Sequence, residues 1–267
     1  MPEGDTLAKA AARLRPALVG HALTRFEAPR LRGPAPALGT GISGVEARGK
    51  HLLVHFADGL TLRTHLRMSG SWHIYRERES WKKPAYLARA VVGADSGWLG
   101  VCFQAPVVET YRRGGAEPRV LAQLGPDLCL PASLDDTVLD EVVARSHRLD
   151  TTGVTLGEAL LDQQVAAGIG NVYKSEACFA CGLDPTAQLD AFDDAARRRV
   201  WGVAARQLQA NLDRARRRTH PAGLAVYGRR GLPCHRCGTP VRMDRHGDLQ
   251  RSTYWCPRCQ PGPSETS

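Results

Sequence analysis

The sequence predicts a mixed α+β chain with more than one domain, and three observations support this prediction. Short apolar runs broken by Gly and Pro dominate the first part of the chain, which is typical of an antiparallel sheet. Apolar residues at helical spacing dominate the second part. The tail is rich in Gly, Pro, Cys and Arg and is too short for a hydrophobic core, so it needs a stabilising cross-link to fold. With 267 residues, 43% of them hydrophobic, the chain is long enough for two domains.

The first element is a helix that begins just after the opening residues. Apolar side chains within residues 6–18 fall on one helical face. We expect Asp5 or Thr6 to be its N-cap and Gly20 to end it.

The residues before this helix carry a possible reactive group. Loss of Met1, which is usual before a residue as small as proline, would leave Pro2 with a secondary amine beside the Glu3 carboxylate. An N-terminal amine has a pKa of roughly 8, and the positive end of a helix lowers it, so this amine could form a Schiff base with a carbonyl carbon. The alternative is that Pro2 only marks the start of translation and Glu3 is a solvated end charge.

Eight short runs of strand character follow the helix. They are residues 23–26, 44–48, 51–56, 60–66, 71–75, 88–92, 97–103 and 107–111. Short strands at this spacing predict an antiparallel sandwich or barrel. The stretch 114–127 is rich in glycine and lies between strand and helix patterns, so we place the domain boundary there.

The second part of the chain predicts an all-helical domain. Helical periodicity covers residues 134–145, 156–166, 172–181 and 192–217. The turn between the second and third helices holds Gly168, Gly170 and Asn171, and Asn171 is the expected cap of the third helix. Such a turn can bind an anion at a helix N-terminus, although any helical turn needs similar residues.

The charge distribution predicts a polyanionic partner. The chain carries a formal charge of +9, and residues 197–258 alone contain 15 Arg, no Lys and three acidic residues. Arginine favours bidentate contact with phosphate; the alternative is a solvated basic face. The sequence has no apolar run of membrane-spanning length and no secretion signal, so we expect an intracellular, cytoplasmic protein and no membrane partner.

Four cysteines in the tail predict a structural zinc site. They form two Cys-x-x-Cys pairs, Cys234/Cys237 and Cys256/Cys259, around a predicted β-hairpin at 241–254. Four thiolates close the coordination sphere of one zinc ion and leave no position for water. A third pair, Cys178/Cys181, lies in an apolar helix, and we interpret it as core packing, with a redox role as the alternative.

Three further positions lie where a phosphate or a base could be contacted. Arg251 is on the predicted hairpin, flanked by hydroxyl and aromatic residues. Lys50 precedes a strand, where a lone lysine is more often solvated. The loop 65–70 offers His65 and then Met68, which could be either core or a wedge that replaces a base pushed out of a duplex.

Taken in order, these motifs resemble the formamidopyrimidine-DNA glycosylase / endonuclease VIII family. The matching stretches run through nearly the whole chain and are MPEGDT, RGKHLLVHF, HLRMSG, LGPDL, LLDQQVAAGIGNVYKSE, VYGRRGLPCHRCGTPV and RSTYWCPRCQ. The resemblance implies a DNA glycosylase and abasic-site lyase of base excision repair. It also implies one structural zinc, a double-stranded DNA partner and, we expect, a monomer.

The same resemblance implies a domain order. An N-terminal catalytic β-sandwich would cover residues 1–125, a helix-two-turn-helix DNA-binding domain 126–218 and a zinc-finger β-hairpin 219–262. The last residues, 263–267, would be a disordered tail.

Roles follow position by position from the resemblance. Pro2 would be the nucleophile at C1′ of the damaged nucleotide, Glu3 the general acid and base, and Met68 the residue that fills the vacated stack. The residues that would hold the phosphates flanking the lesion are Lys50, His65, Asn171 and Arg251. Of these, Lys50 and Arg251 are also expected to support catalysis.

Two differences between the branches of the family indicate which lesion this chain prefers. The purine-removing branch has a long capping loop before the Val-Tyr-Gly-Arg strand, whereas residues 218–224 leave no room for one. The opening Pro-Glu-Gly resembles the endonuclease VIII branch. We therefore expect oxidised pyrimidines, with 8-oxoguanine and formamidopyrimidines as one alternative and a non-catalytic DNA-binding protein as the other. Asp5-Thr6 stands where Pro-Glu is common in relatives, which removes a second carboxylate.

Overall fold

A computed structural model describes residues 2–115, 117–247 and 250–262 of the chain. We expected Met1 to be removed and residues 263–267 to be disordered. These residues lie outside the described ranges. The chain divides into two compact units, Met1–Gln123 and Leu124–Ser267. Among the described residues, no helix combines the length and apolar character that crossing a membrane requires.

The N-terminal unit consists of one long helix, eight strands and a short closing helix. Their bounds are α1 Gly4–Leu18, β1 Leu23–Glu27, β2 Ile42–Arg48, β3 His51–Phe56, β4 Leu60–His65, β5 Ser71–Arg76, β6 Ala88–Ala94, β7 Trp98–Phe103, β8 Val107–Arg112 and α2 Arg119–Ala122. A 3-10 turn, Ala85–Leu87, precedes β6. All eight predicted strands are present, with ends shifted by at most two residues.

The strands form two antiparallel four-stranded sheets, in the orders β1-β6-β7-β5 and β2-β3-β4-β8. Helix α1 packs on strands of both sheets, and Leu7, Leu14 and Leu18 of its apolar face join the main core together with residues such as Leu52 and Val92. The predicted α+β fold class is confirmed, and the architecture is a sandwich.

Helix α1 begins earlier than the sequence indicated. Its N-cap is Glu3, and Asp5, an expected cap, is already helical and buried. The Thr6 hydroxyl lies three residues after the cap and accepts a hydrogen bond from the Glu3 N–H at 3.4 Å. This bond satisfies one backbone donor ahead of the helix, so the helix gains its first turn before the predicted cap.

The C-terminal unit is helical and ends in a β-hairpin. Its elements are α3 Asp136–Ser146, α4 Leu156–Ala159, α5 Asn171–Cys181, α6 Asp194–Gln209, β9 Arg242–His246 and β10 Arg251–Trp255. Three 3-10 turns, Pro131–Leu134, His147–Thr152 and Leu189–Ala191, join the helices. Trp201 and Tyr173 are fully buried in the core of this unit.

Two helices are shorter than predicted because polar side chains compete with the helical hydrogen bonds. The helix expected over 156–166 ends at Ala159, and Asp162 Oδ1 accepts the Gln164 N–H at 2.8 Å. The helix expected over 192–217 ends at Gln209. There Asn211 Nδ2 donates to Gln207 O at 2.7 Å, which caps a terminal carbonyl.

Candidate nucleic-acid repair site

The start of α1 carries the first candidate residues. Glu3 is fully buried, and Pro2 directly before it is half-buried. Asp5, in the first helical turn, is 1% exposed and lies 3.5 Å from Lys9 Nζ. Pro2 therefore lies at the positive end of a 15-residue helix. A carboxylate adjacent in sequence and an amine at this position are suited to proton transfer around a nucleophilic attack.

Lys50 and His65 lie at the same end of the β2-β3-β4-β8 sheet. Arg48 pairs with His51, so Gly49 and Lys50 form a two-residue hairpin loop, in which Gly49 adopts a φ of 57°. His51 also pairs with His65 on β4, with ring centroids 4.8 Å apart. The sheet register therefore brings together two residues that are 15 positions apart in the sequence.

The two histidines at this end of the sheet are neutral at neutral pH. Burial, assisted by the charge of Lys50, lowers the pKa of His65 to about 4. Burial, assisted by His65 and Arg63, lowers the pKa of His51 to about 3. His65 Nδ1 accepts the Arg67 N–H at 3.2 Å, so the neutral ring carries its proton on Nε2 and is a hydrogen-bond donor there.

Arg63 contacts His51 and is bonded in turn to Glu109, and the sequence indicated neither residue. Arg63 NH1 lies 2.9 Å from His51 Nδ1, and its Nε donates to Glu109 Oε1 at 2.7 Å. An arginine can only donate, so His51 Nδ1 is the acceptor and the ring orientation is fixed. The partners lie 12 and 46 residues away, and strand pairing alone brings them into contact.

Met68 lies at the tip of the loop after β4 and is 70% exposed. The Gly70 N–H donates to Leu66 O at 2.9 Å, and Arg67 has a φ of 45°. A Cβ on Gly70 would approach Leu66 O to 2.6 Å, so only glycine fits. The loop therefore holds an apolar side chain out to solvent, as a wedge residue requires, and Met68 is not a core residue.

In the C-terminal unit, the predicted turn connects the region after α4 to α5. Gly168 adopts a φ of 108°, and Gly170 is the N-cap of α5. Asn171 is therefore the first helical residue and not the cap, which corrects our expectation. Its side chain is nevertheless buried, and Asn171 Oδ1 has no hydrogen-bond partner within the described ranges. Gly170 has an extended backbone, with φ at −124° and ψ at −166°, as an N-cap residue usually does.

Gln163 organises this turn and was missed in the sequence. Its Nε2 donates to Leu161 O at 2.8 Å and to Ile169 O at 3.2 Å, while its Oε1 accepts the Gly168 N–H at 3.1 Å. One amide side chain thus replaces the backbone bonds that the turn lacks. A polar residue directly before a glycine turn is only a weak signal, because such residues are common there.

Four cysteine sulfurs meet in the hairpin region, all within 4.8 Å of one another. The Cys234 and Cys259 sulfurs are 3.9 Å apart, and those of Cys237 and Cys256 are 3.5 Å apart. Tetrahedral zinc with bonds of about 2.3 Å places its sulfur ligands about 3.8 Å apart. The four predicted ligands are thus close enough to hold one ion, and the single structural zinc that we expected is confirmed. Without the metal, a hydrogen bond with Thr239 lowers the pKa of Cys237 to about 6, whereas burial raises the pKa of Cys256 and Cys259.

The third cysteine pair lies apart from this cluster, on α5. Cys178 is fully buried in the helical core, and Cys181 is half-buried beside it. Burial raises the pKa of both thiols, so they are poor nucleophiles. Their packing agrees with the interpretation of this pair as core.

The hairpin carries Arg251 at the start of β10 and is docked on α5. Lys174 Nζ donates to Ser252 O at 3.1 Å and to Thr253 Oγ1 at 2.7 Å. Ser175 Oγ accepts the Tyr254 N–H at 3.2 Å. Asn171 and Arg251 therefore belong to two elements that are bonded to each other.

Glu176, also on α5, holds the segment that leads into the zinc finger. Its Oε1 accepts the Val226 and Tyr227 N–H groups at 2.9 and 2.7 Å, and its Oε2 accepts the Ala225 N–H at 2.7 Å and the Thr219 hydroxyl. Lys174 and Glu176 were both missed. The available signal was two ionisable residues inside an otherwise apolar helix, where a charge requires a partner.

Three family models match the chain in the order of these elements. Residues 1–98 match the formamidopyrimidine-DNA glycosylase N-terminal domain. Residues 131–220 match the formamidopyrimidine-DNA glycosylase H2TH domain, and residues 231–262 match the zinc finger found in FPG and IleRS.

Individual proteins match over nearly the full length. A probable endonuclease 8 2 of Streptomyces coelicolor is 43% identical, over 99% of this chain and 95% of the relative. A DNA-(apurinic or apyrimidinic site) lyase Nei2 of Mycolicibacterium smegmatis is 38% identical, over 97% of this chain and 99% of the relative. The crystal structure of the MutM (Fpg) protein from Thermus thermophilus is similar with a TM-score of 0.78 and 29% identity, over 98% of this chain and 99% of that one.

Proposed function

Because this chain belongs to the formamidopyrimidine-DNA glycosylase family, together with proteins named endonuclease 8, we propose that it excises an oxidised base from DNA and then cuts the strand at the abasic site. The observation that carries this proposal is the start of α1, where the buried Glu3 immediately follows Pro2 at the positive end of the helix. Glu3 is also the N-cap of α1, and a carboxylate that directly follows the amine is suited to proton transfer during its attack.

The reaction proceeds through a Schiff base on Pro2. Its neutral secondary amine attacks C1′ of the damaged nucleotide, the base leaves with the bonding electrons, and the N–H proton of the attacking amine passes to the departing base. Glu3 gives a proton to O4′ as the sugar ring opens, which leaves an iminium between Pro2 and C1′.

The iminium then acidifies the C2′ proton. Loss of this proton to a base expels the 3′ phosphate, and loss of the C4′ proton expels the 5′ phosphate. Water hydrolyses the remaining imine and releases Pro2. The expected product is a one-nucleotide gap with phosphate at both ends.

Four residues hold the phosphates on either side of the lesion. Lys50 and His65 do so from one end of a sandwich sheet, and Asn171 and Arg251 do so from the docked turn and hairpin. The pKa of His65, lowered to about 4, supports its role as a neutral donor through Nε2. Held phosphates fix the everted nucleotide against Pro2, while Met68 fills the vacated stack.

We propose oxidised pyrimidines as the preferred lesions. The segment before the zinc finger folds back at once, because the Thr219 N–H donates to Gly223 O at 2.9 Å and the Gly223 N–H donates to His220 O at 2.9 Å. Glu176 then anchors the chain from Ala225 onward. Within these residues no loop extends far enough to cover a flipped purine, which supports a pyrimidine substrate over 8-oxoguanine.

Borohydride trapping tests the chemistry. Incubation of the full chain with an abasic-site duplex and borohydride should give a covalent adduct, and peptide mapping should locate that adduct on Pro2. Intact mass must show the same chain without Met1, because a retained Met1 turns the nucleophile into an amide. The absence of an adduct would leave the alternative of a non-catalytic DNA-binding protein, and an adduct on a lysine would refute the role of Pro2.

Single-turnover excision tests the lesion. Duplexes that differ only in the damaged base, with dihydrouracil, thymine glycol or 8-oxoguanine opposite each of the four bases, should rank the pyrimidines first. A faster rate on 8-oxoguanine would refute the argument from residues 218–224 without affecting the Pro2 chemistry.

A further inference from the structure

The zinc hairpin has one edge that is not covered by its own strands. β9 pairs with one edge of β10. Ser252 O and the Tyr254 N–H are two residues apart on β10, so they point to the same, opposite edge. Lys174 Nζ and Ser175 Oγ, adjacent on α5, bond to these two backbone groups at 3.1 and 3.2 Å. Lys174 and Ser175 thus bond to two backbone groups that would otherwise pair with a further strand.

Lys174 is the central group of this dock. The residue is only 1% exposed, and Nζ also bonds to Thr253 Oγ1 at 2.7 Å, where Thr253 is 2% exposed. Burying an ammonium is costly unless its hydrogen bonds are made. An ammonium buried this deeply cannot reach a DNA phosphate directly, so any effect of Lys174 on DNA must pass through another residue.

The dock lies between two proposed phosphate contacts. Asn171 is one turn before Lys174 on α5, and Arg251 directly precedes Ser252 on β10. A cavity of about 260 Å³ lies beside the dock and is lined by Lys174, Arg251 and Glu158, among others. The packing beside this part of β10 is therefore incomplete, and the bonds of Lys174 hold the strand on α5 next to Arg251.

We propose that Lys174 is a positioning residue that sets the place of Arg251 relative to Asn171, so that both can bind phosphates of the same DNA strand. The proposal rests on the proposed function, because it requires Arg251 to contact DNA. It predicts that removal of the Lys174 ammonium weakens DNA binding only when Arg251 is present.

A double-mutant cycle tests this dependence. The variants are Lys174→Met, which keeps the aliphatic chain, Arg251→Ala, and the two combined. The probe is a duplex with a tetrahydrofuran abasic analogue, and the readouts are its dissociation constant and the dependence of that constant on salt. Each single variant should weaken binding by about tenfold and lower the salt slope by about 1. The double variant should bind within about twofold of Arg251→Ala, because the two residues act as one unit.

Matched controls distinguish a positioning effect of Lys174 from the loss of a positive charge and from misfolding. Arg242→Met removes one positive charge from an exposed position on β9, and its effect should add to that of Arg251→Ala. Lys174→Arg keeps a cationic donor and should recover part of the affinity. Each variant must retain one zinc per chain. Thr253→Val, which removes only the hydroxyl acceptor, goes through the same cycle if Lys174→Met loses zinc.

Two outcomes would overturn the proposal. One is wild-type affinity in Lys174→Met, and the other is a loss that adds in full to that of Arg251→Ala. Borohydride trapping by the wild-type chain keeps these outcomes distinct from failure of the proposed function. If the wild type forms the Pro2 adduct and the cycle is additive, only the role of Lys174 is lost.

Discussion

In the N-terminal unit two buried histidines beside Lys50 stay neutral, whereas in the C-terminal unit a metal site and a buried ammonium hold the hairpin that carries Arg251. Burial lowers the pKa of His51 and His65 so that both rings are neutral. In the C-terminal unit, four thiolates fix the hairpin, and Lys174 docks it on α5. The difference suggests a division of labour, in which reaction rate depends on protonation in the N-terminal unit and zinc acts on DNA affinity through the C-terminal unit.

Zinc removal should give the largest effect, and it should act on binding. Structural zinc contributes roughly 10–16 kcal/mol to the folding of small domains. Chelation should unfold the hairpin and weaken binding to an abasic-analogue duplex by at least about 100-fold, since Arg251 loses its place. Fluorescence anisotropy gives the affinity, and mass spectrometry gives the zinc content. Cys181→Ser should keep one zinc per chain. Unchanged affinity in a zinc-free chain would refute the division of labour.

Glu3→Gln should give the next largest effect, and it should act on rate. General acid-base catalysis contributes about 10²–10⁴-fold, so single-turnover excision should slow by that factor. Affinity for the abasic-analogue duplex should stay within about twofold of wild type, because Glu3 is not one of the proposed phosphate contacts. Asp5→Asn makes the same chemical change two positions later and should leave the excision rate within about threefold. A loss of affinity that matches the loss of rate would contradict this separation.

Glu176→Gln should destabilise the C-terminal unit by about 3 kcal/mol. The amide offers one acceptor oxygen where the carboxylate offers two, so some of the buried N–H groups of Ala225, Val226 and Tyr227 lose their partner. Denaturant unfolding at fixed zinc measures the change. Glu141→Gln, at an exposed carboxylate on α3, should stay within about 0.5 kcal/mol of wild type. A similar change in both variants would show that the Glu176 bonds contribute little.

Acid should give the smallest effect for a single residue, and it should act on the N-terminal unit. The unfolded chain binds protons at its histidines as pH falls below about 6.5. The folded chain does not, because the pKa of His51 is about 3 and that of His65 about 4. Stability present above pH 6.5 is therefore lost as pH falls, by about 2 kcal/mol for each of the two histidines at pH 5.

His51→Gln isolates this effect, because its amide oxygen can still accept from Arg63 and it does not titrate. Unfolding free energies at pH 7 and pH 5, at constant zinc occupancy, should differ less in the variant than in wild type. An equal pH dependence in the two chains would show that the buried histidine does not cause the acid sensitivity.

The sequence predicted those parts of the molecule whose signals are local. Each strand is a short run bounded by turn residues, and the four zinc ligands lie in two pairs with fixed spacing. The errors occurred where a side chain several residues away decides the outcome. Thr6 moved the start of α1, and Asp162 and Asn211 ended two helices early.

The residues that hold the candidate site together could not be predicted for a related reason. Lys174 bonds to residues 78 and 79 positions further along the chain, and Glu176 bonds to residues about 50 positions away. Periodicity shows that such charges lie on a buried face, but only the fold shows which backbone groups they meet. The same holds for Arg63 and Glu109, which are joined by strand pairing.

The tight loop that carries Met68 has a kinetic consequence. The Gly70 N–H bond to Leu66 O and the left-handed Arg67 already give this loop its shape in the free chain. Ordering a flexible loop would cost about 1–2 kcal/mol per residue. In its proposed role, Met68 can therefore contact each base step without the entropic cost of ordering the loop. The time that the protein spends at each step of DNA is then set by how readily the bases unstack. If the loop is already ordered in this way, amide hydrogen exchange at residues 67–70 should be equal with and without DNA.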